Sequence, residues 1–379
     1  MIPRWKIARE VERLGSFLWS MAGLVYEPLL KWLHDRRRDR QPVPPDQGVA
    51  LAGKVAVVLI FQPRGLARSL LLTLRYLVSC GYAPLVVSNA PLTDGSRAAL
   101  APLTWRIVER PNFGYDFGGY RDGILLLRRW GDAPERLIVM NDSIWMPLGE
   151  TSDLVARLEA AEGDVVGGFL HPDTIRARTG TLRRGFVESY LYLINAQALA
   201  APGFWRFWTR FRVSSNKLNA IYRGERGFSQ AMQDAGLSVT GIFTPAGLIE
   251  RLRDVDPATL RRVLHYAAYT EPDLRAESKA LLAATETTAD WRAAVLDHIA
   301  RTARRRRFNA SFPFAAARLM GMDFLKKSAG PTGAGEANLH SAMRRQYLAA
   351  VRAGDLPAPF PEVRAEIEAR DRLDPATAT

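Results

Sequence analysis

Residues 54–61, Lys-Val-Ala-Val-Val-Leu-Ile-Phe, form an almost unbroken apolar run in which every second or third side chain is β-branched. A strand of this kind has no polar face, so both faces meet protein and it belongs inside a parallel sheet. From Leu66 to Cys80 apolar residues recur at helical spacing, which makes the segment a β-α unit. The alternation continues with strand 83–88, a short helix near 96–100, strand 105–109, helix 117–130 and strand 136–141. Helix 151–161 and strands 164–170, 189–195 and 237–243 follow. From about Thr244 the pattern is helical, with irregular stretches at 327–338 and from Asp355 onward. Such alternation predicts an α/β fold: a mostly parallel sheet with helices on both faces, followed by a helical C-terminal region.

The 379 residues suffice for two or three folding units. The Pro-rich stretch 41–48 suggests an arm and linker at 1–47, an α/β domain at 48–250 and a mainly helical region at 251–379. The single cysteine, Cys80, excludes an intramolecular disulfide and a zinc site built on cysteine pairs. A net charge of +13 favours anionic partners: nucleic acid, an anionic membrane face or phosphate-bearing substrates. No nucleic-acid-binding motif is present and the basic residues are spread along the chain, which argues against nucleic acid. Arg304 to Arg307 is one local run of charge, suited to a solvated face or to phosphates.

In the N-terminal arm, Ile7, Val11, Leu14, Leu18 and Met21 recur at helical spacing, with Trp5, Trp19 and Trp32 beside them and Arg36, Arg37, Arg38 and Arg40 following. The uncharged run 14–26 is too short and interrupted to span a bilayer, and it lacks the order of a secretory signal. The arm therefore reads either as an amphipathic helix on an anionic membrane surface or as a helix packed on the protein's own core. The first alternative places the protein in the cytoplasm, peripheral on the inner face of the membrane.

In an open parallel sheet, ligands bind beyond the carboxyl ends of the strands. The segments at those ends are polar here: Gln62 after the first strand, Asn89 after the second, Arg110 to Gly119 after the third, and Asn141-Asp142-Ser143 at the fourth. Gly114, Gly118 and Gly119 allow tight turns and close backbone approach to a ligand. Arg110 and Asn112 suit a phosphate and its surroundings, and Asp116 suits a sugar hydroxyl or a helix cap. Asp142 with a donor diphosphate suits Mg²⁺ or Mn²⁺, although Asn, Asp and Ser are also ordinary turn residues.

Arg110-Pro-Asn-Phe-Gly-Tyr-Asp-Phe-Gly-Gly-Tyr-Arg-Asp-Gly123, with the later Asn141-Asp142-Ser143 and Pro147, resembles the rhamnan synthesis protein F family of bacterial glycosyltransferases. The resemblance continues through Ser189-Tyr190-Leu191-Tyr192, the aromatic residues 204–208, Gly224-Glu225 to Gly236 and Met322 to Lys327, covering about residues 54–330. It implies a GT-A-like (Rossmann-like) nucleotide-sugar transferase fold and a role in cell-surface polysaccharide or lipopolysaccharide assembly. The implied reaction moves a sugar, rhamnose among the candidates, from a nucleotide-diphosphate donor to a glycan or lipid-linked glycan acceptor. Asn141 to Ser143 stands where such folds carry an acidic, metal-binding motif, but with one acid instead of two. That departure leaves open a non-catalytic envelope assembly protein; a basic nucleic-acid binder is the remaining rival.

The resemblance further implies Glu225 as the base of an inverting transfer. By residue type Glu188 and Asp116 are substitutes for it, and the rings of Phe204 to Phe211 suit a sugar platform. Glu225 also reads as a first-turn acid stabilising a helix at 228–235. His171 carries no assigned role.

Overall fold

The structure, a computed structural model, describes residues 26–175, 179–214, 216, 219, 222–305, 307–327 and 334–373. Seven strands form the path of the main sheet: β1 (Lys54–Ile60), β2 (Ala83–Ser88), β3 (Arg106–Glu109), β4 (Arg136–Asn141), β6 (Val165–His171), β10 (Leu191–Ile194) and β11 (Val239–Phe243). Their order is β11-β6-β10-β4-β1-β2-β3. Strands β1, β2, β3 and β4 pair in parallel, as do β6 and β11, while β10 runs antiparallel between β4 and β6. The mostly parallel α/β architecture expected from residues 54–61 is the one observed.

Alternate residues of β1 feed two separate cores. Ala56, Val58 and Ile60 enter one, together with α2 (Arg68–Ser79), α5 (Leu154–Ala160) and the helices after residue 244. Val55, Val57 and Leu59 enter the other, against α4 (Tyr115–Trp130), α7 (Pro202–Arg210) and the helix Gly227–Asp234. A strand with no polar face is the consequence of helices on both sides.

Helix α4 lies close on β1 because two of its residues lack a side chain. A Cβ at Gly119 would collide with Leu59, and one at Gly123 would lie 2.8 Å from Val57. A Cβ at Gly118 would collide with the Phe113 carbonyl. These glycines thus serve the packing of helix on strand and the turn before it, and the close approach expected for a ligand is made to the protein's own backbone and core. Only Gly114 meets a strict conformational demand, at φ +81° before the helix.

Residues 26–40 form a helix, α1, docked on α4. Asp122 on α4 is buried and receives His34 at 2.6 Å and Arg38 at 3.4 Å, while Asp35 pairs with Arg121. For residues 26–40 the packed-helix alternative is therefore observed, although Leu29, Leu30, Trp32 and Leu33 remain exposed on it. The stripe from Trp5 to Met21 lies outside the described residues.

At the other end, the helix Pro361–Leu373 occupies a stretch expected to be irregular. Its Glu366 accepts from the Ser69 backbone and hydroxyl at 2.9 and 2.6 Å and from the Trp145 indole at 2.9 Å. Strand β5 (Ile144–Trp145) pairs with β12 (Leu325–Lys326), which brings Lys326 and Lys327 beside the end of β4.

Candidate functional site

The residues singled out at the strand ends are assembled on one rim. Asn141 ends β4 and donates its amide to Asp116 at 3.0 Å, and its amide oxygen accepts from the Ser143 backbone at 3.1 Å and hydroxyl at 2.5 Å. One Asp142 oxygen accepts from the Phe61 backbone at 3.1 Å and the Gln62 amide at 3.0 Å, tying the ends of β1 and β4 together. At the end of β2, Asn89 donates to Asn112 at 3.0 Å. Asp116 and Asn112 are exposed, Asp142, Gln62 and Ser143 are half-buried, and Asn89 and Asn141 are buried. The outer layer therefore faces solvent on a hydrogen-bonded inner layer. Asp116 is not the helix cap: that position is Gly114, and Asp116 sits in the first turn.

Arg110 belongs to the inner layer. It is buried, and its guanidinium donates to Asp122 at 2.6 Å, to Asn89 at 2.5 Å and to the Phe113 carbonyl at 2.5 Å. Those contacts orient Asn89 and the turn before α4, so a phosphate would have to displace them. Burial alone would raise the Asp122 pKa, but the charges of Arg110, His34 and Arg38 hold its carboxyl well below the usual range.

Glu225 stands next to the rim. It lies in a π-helical turn, Tyr222–Arg226, where a Cβ on Gly224 would collide with Phe117 of α4. One Glu225 oxygen accepts from the Ser189 backbone at 2.9 Å and hydroxyl at 3.0 Å, and the Ser189 carbonyl accepts from the Tyr120 hydroxyl at 2.7 Å. The carboxylate is thus held by the segment before β10 and precedes the helix Gly227–Asp234. Burial raises the Tyr120 pKa well above its ordinary value, and the charges of Asp116, Tyr192, Asp142 and Glu225 add to the rise. Among the described residues, no group of three His, Cys, Asp or Glu side chains is arranged to hold a metal ion.

Glu188 is fully buried and receives His171 at 2.8 Å, Arg307 at 2.7 Å and Lys326 at 3.8 Å. Burial opposes ionisation, but Arg307, Lys326 and His171 outweigh it and hold the carboxyl well below its ordinary pKa. A carboxylate so stabilised is a weak base, which removes Glu188 as a substitute for Glu225. The sugar platform is also corrected: Phe204, Trp208 and Phe211 are buried in the core, Trp208 against Phe117, Phe228 and Phe204, and Phe211 against Phe117.

The structure adds residues that local sequence did not mark. Phe61, half exposed beside Asp142, offers an aromatic face at the rim. The Lys327 backbone donates to the Ser143 carbonyl at 2.6 Å. Beyond Glu225 lies a cavity of about 1150 Å³ lined by His171, His340 and several arginines. Local sequence makes Phe61 the last residue of an apolar strand, and the cavity's arginines are far apart in sequence.

Residues 85–260 match the family described as rhamnan synthesis protein F. Uncharacterized protein y4gN of Sinorhizobium fredii (strain NBRC 101917 / NGR234) is 30% identical over 266 residues, which span 70% of this chain and 68% of that protein. Among solved structures, the mannosyltransferase Ktr4p from S. cerevisiae is 9% identical, with TM-score 0.30 over 53% of this chain and 72% of that one. The mannosyltransferase PcManGT from Pyrobaculum calidifontis, solved with GDP-Man and Mn²⁺, is 13% identical, with TM-score 0.29 over 93% of this chain and 95% of that one. Both structural likenesses are too distant to carry an argument about this chain.

Proposed function

Because the chain belongs to the rhamnan synthesis protein F family, we propose that it is a GT-A-like glycosyltransferase that moves a sugar from a nucleotide-diphosphate donor to a cell-surface glycan or lipid-linked glycan. Rhamnose is the sugar to which the family description points. The observation that carries this reading is the assembly of Asn112, Asp116 and Asp142 at adjoining strand ends, with Glu225 of the π-turn joined through Ser189 to Tyr120 on the helix that carries Asp116.

In this reading Asn112, Asp116, Asp142 and Gln62 bind the donor, Phe61 stacks on its base, and Gly114, Asn89, Asn141, Ser143 and Arg110 hold that surface in shape. A Mg²⁺ or Mn²⁺ ion would be held by the second Asp142 oxygen and the donor diphosphate, and would neutralise charge on the leaving group. The protein supplies only part of the ligand set, as is usual for Mg²⁺ bound with phosphates.

Glu225 takes the proton of the acceptor hydroxyl as that oxygen bonds to the anomeric carbon. The carbon–phosphate-oxygen bond breaks, and the nucleoside diphosphate leaves with the electron pair, inverting the centre. The two bonds from Ser189 fix one Glu225 oxygen and orient the carboxylate. The exposed Leu29, Leu30, Trp32 and Leu33 beside Arg36, Arg37 and Arg40 support a cytoplasmic location on an anionic membrane surface.

Nucleotide sugars are first screened by saturation-transfer NMR, and release of nucleoside diphosphate is then measured with an acceptor. Glu225→Gln should lower turnover by about 10²- to 10⁴-fold while leaving donor affinity intact. Asp142→Asn should weaken donor binding in Mg²⁺ and much less in EDTA. Turnover of Glu225→Gln within a few-fold of wild type removes it as the base, and no donor binding at all favours the non-catalytic assembly protein.

A further inference from the structure

The cavity beyond Glu225 is lined by six arginines, Arg183, Arg184, Arg226, Arg304, Arg305 and Arg307, against two carboxylates, Asp173 and Glu225. Three of the six are engaged: Arg184 with Asp234 at 2.6 Å, Arg305 with Asp273 at 3.6 Å and Arg307 with Glu188 at 2.7 Å. Arg183, Arg226 and Arg304 form no ion pair with any described residue. Arg226 lies over the Phe186 ring at 4.8 Å, and one of its terminal nitrogens is buried without a hydrogen-bond partner among the described residues. A buried guanidinium N–H without a partner is costly and calls for an acceptor that the described residues do not supply.

Guanidinium groups bind phosphate oxygens in pairs, and several facing one cavity repel each other until an anion sits between them. His340, pushed down to about 3 by burial and by the Lys326 and Arg307 charges, lines the same cavity as a neutral group. At about 1150 Å³ the space exceeds a usual small-ligand pocket and admits a phosphate together with what it is attached to. None of the rim residues Gln62, Asn89, Asn112, Asp116 and Asp142 lines it, whereas Glu225 stands on its wall.

We propose that this cavity binds a phosphate or diphosphate group carried by the acceptor, with Arg183, Arg226 and Arg304 as its ligands and Glu225 between it and the donor rim. This assignment rests on the transferase reading for the word acceptor, while the anion site itself stands independently of it.

The test is calorimetric titration of the full chain with inorganic pyrophosphate in EDTA, repeated with the nucleoside diphosphate found by the donor screen already bound. Arg226→Ala and Arg304→Ala should each weaken pyrophosphate about ten-fold, with nucleoside diphosphate affinity unchanged. Arg304 is exposed, so Arg304→Glu provides a variant whose folding is not at risk, and melting curves accompany all three. Pyrophosphate binding that is unaffected by Arg304→Glu and Arg226→Ala overturns the site. Competition between pyrophosphate and the nucleoside diphosphate, with parallel losses in the variants, overturns the acceptor assignment by making this the donor's own diphosphate site. If no nucleoside diphosphate binds, the transferase reading fails, and an arginine-dependent pyrophosphate affinity still upholds the anion site.

Discussion

Asp122 and Glu188 are buried carboxylates in different regions of the molecule, and each is met by one histidine and by longer cations, three arginines at Asp122 and Arg307 with Lys326 at Glu188. The regions differ in what lies beside them. Around Asp122, further acids share the load: Asp35 takes Arg121 and Arg38, and Asp39 also takes Arg38. Glu188 meets Arg307, Lys326 and His171, and Arg307 and His171 both line the cavity. The first cluster fastens α1 and the rim turn to α4. The second stands beside an open space into which its cations can turn.

The largest expected effect tests this contrast directly. Asp122→Ala strands Arg110, Arg38 and His34 in the interior and should cost about 3–5 kcal/mol in urea unfolding. Glu188→Gln should cost less, roughly 1–3 kcal/mol, because Arg307 can turn to the cavity and water. Equal losses would mean that the two clusters are the same device, and the distinction would fall.

A half-buried carboxylate, Asp323, sharpens the comparison by its opposite sign. Asp323 is pushed up to about 6 by burial, opposed by hydrogen bonds such as that from the Leu148 backbone at 3.0 Å. The depressed groups, Asp122 and Glu188, contribute stability that is present above the unfolded pKa near 4 and lost as pH falls through their lower folded values. Asp323 instead penalises the fold as pH rises from about 4 to 6. Asp323→Asn should therefore gain about 1–2 kcal/mol at pH 7 and little at pH 4, measured by urea melts at both. A gain of equal size at both values would separate the effect from titration.

The smallest effect on stability is expected on the outer face of α1. Replacing Leu29, Trp32 and Leu33 by Ser should shift unfolding by under about 0.5 kcal/mol each, yet abolish sedimentation with anionic vesicles. Undiminished sedimentation of the triple variant would remove this face as the membrane contact. Substitution is the sharper tool, since deleting α1 also takes His34 and Arg38 away from Asp122.

The β-α alternation and the rim were legible because both are local: a continuous apolar strand, then polar residues at its end. Asp116 and Asn141, read as neighbours on one rim, do meet across two elements. Arg110 was read as a phosphate ligand because nothing local shows that Asp122, twelve residues on, turns back one helical face to bind it. The helix Pro361–Leu373 was read as irregular because its charged residues obscure the stripe formed by Val363 and Ile367, which only a distant core reveals. Arg226 is separated from Arg304, Arg305 and Arg307 by some 80 residues of chain, so their common cavity is a property of the fold alone. Phe204 to Phe211 misled because an aromatic cluster reads alike whether it awaits a sugar or fills a core.

Glu366 sets a schedule for synthesis. Its partners Ser69 and Trp145 leave the ribosome long before it, and the Ser69 contact spans 297 residues. At about 5–20 residues per second, α2 waits roughly 15–60 s for the side chain that satisfies its first turn. Lys327, whose backbone closes onto Ser143, arrives only some 40 residues earlier. During nascent growth the part of the sheet face that the helices after residue 244 cover therefore lies open to chaperones and to neighbouring chains, and the rim next to it is finished among the last parts of the molecule to be made.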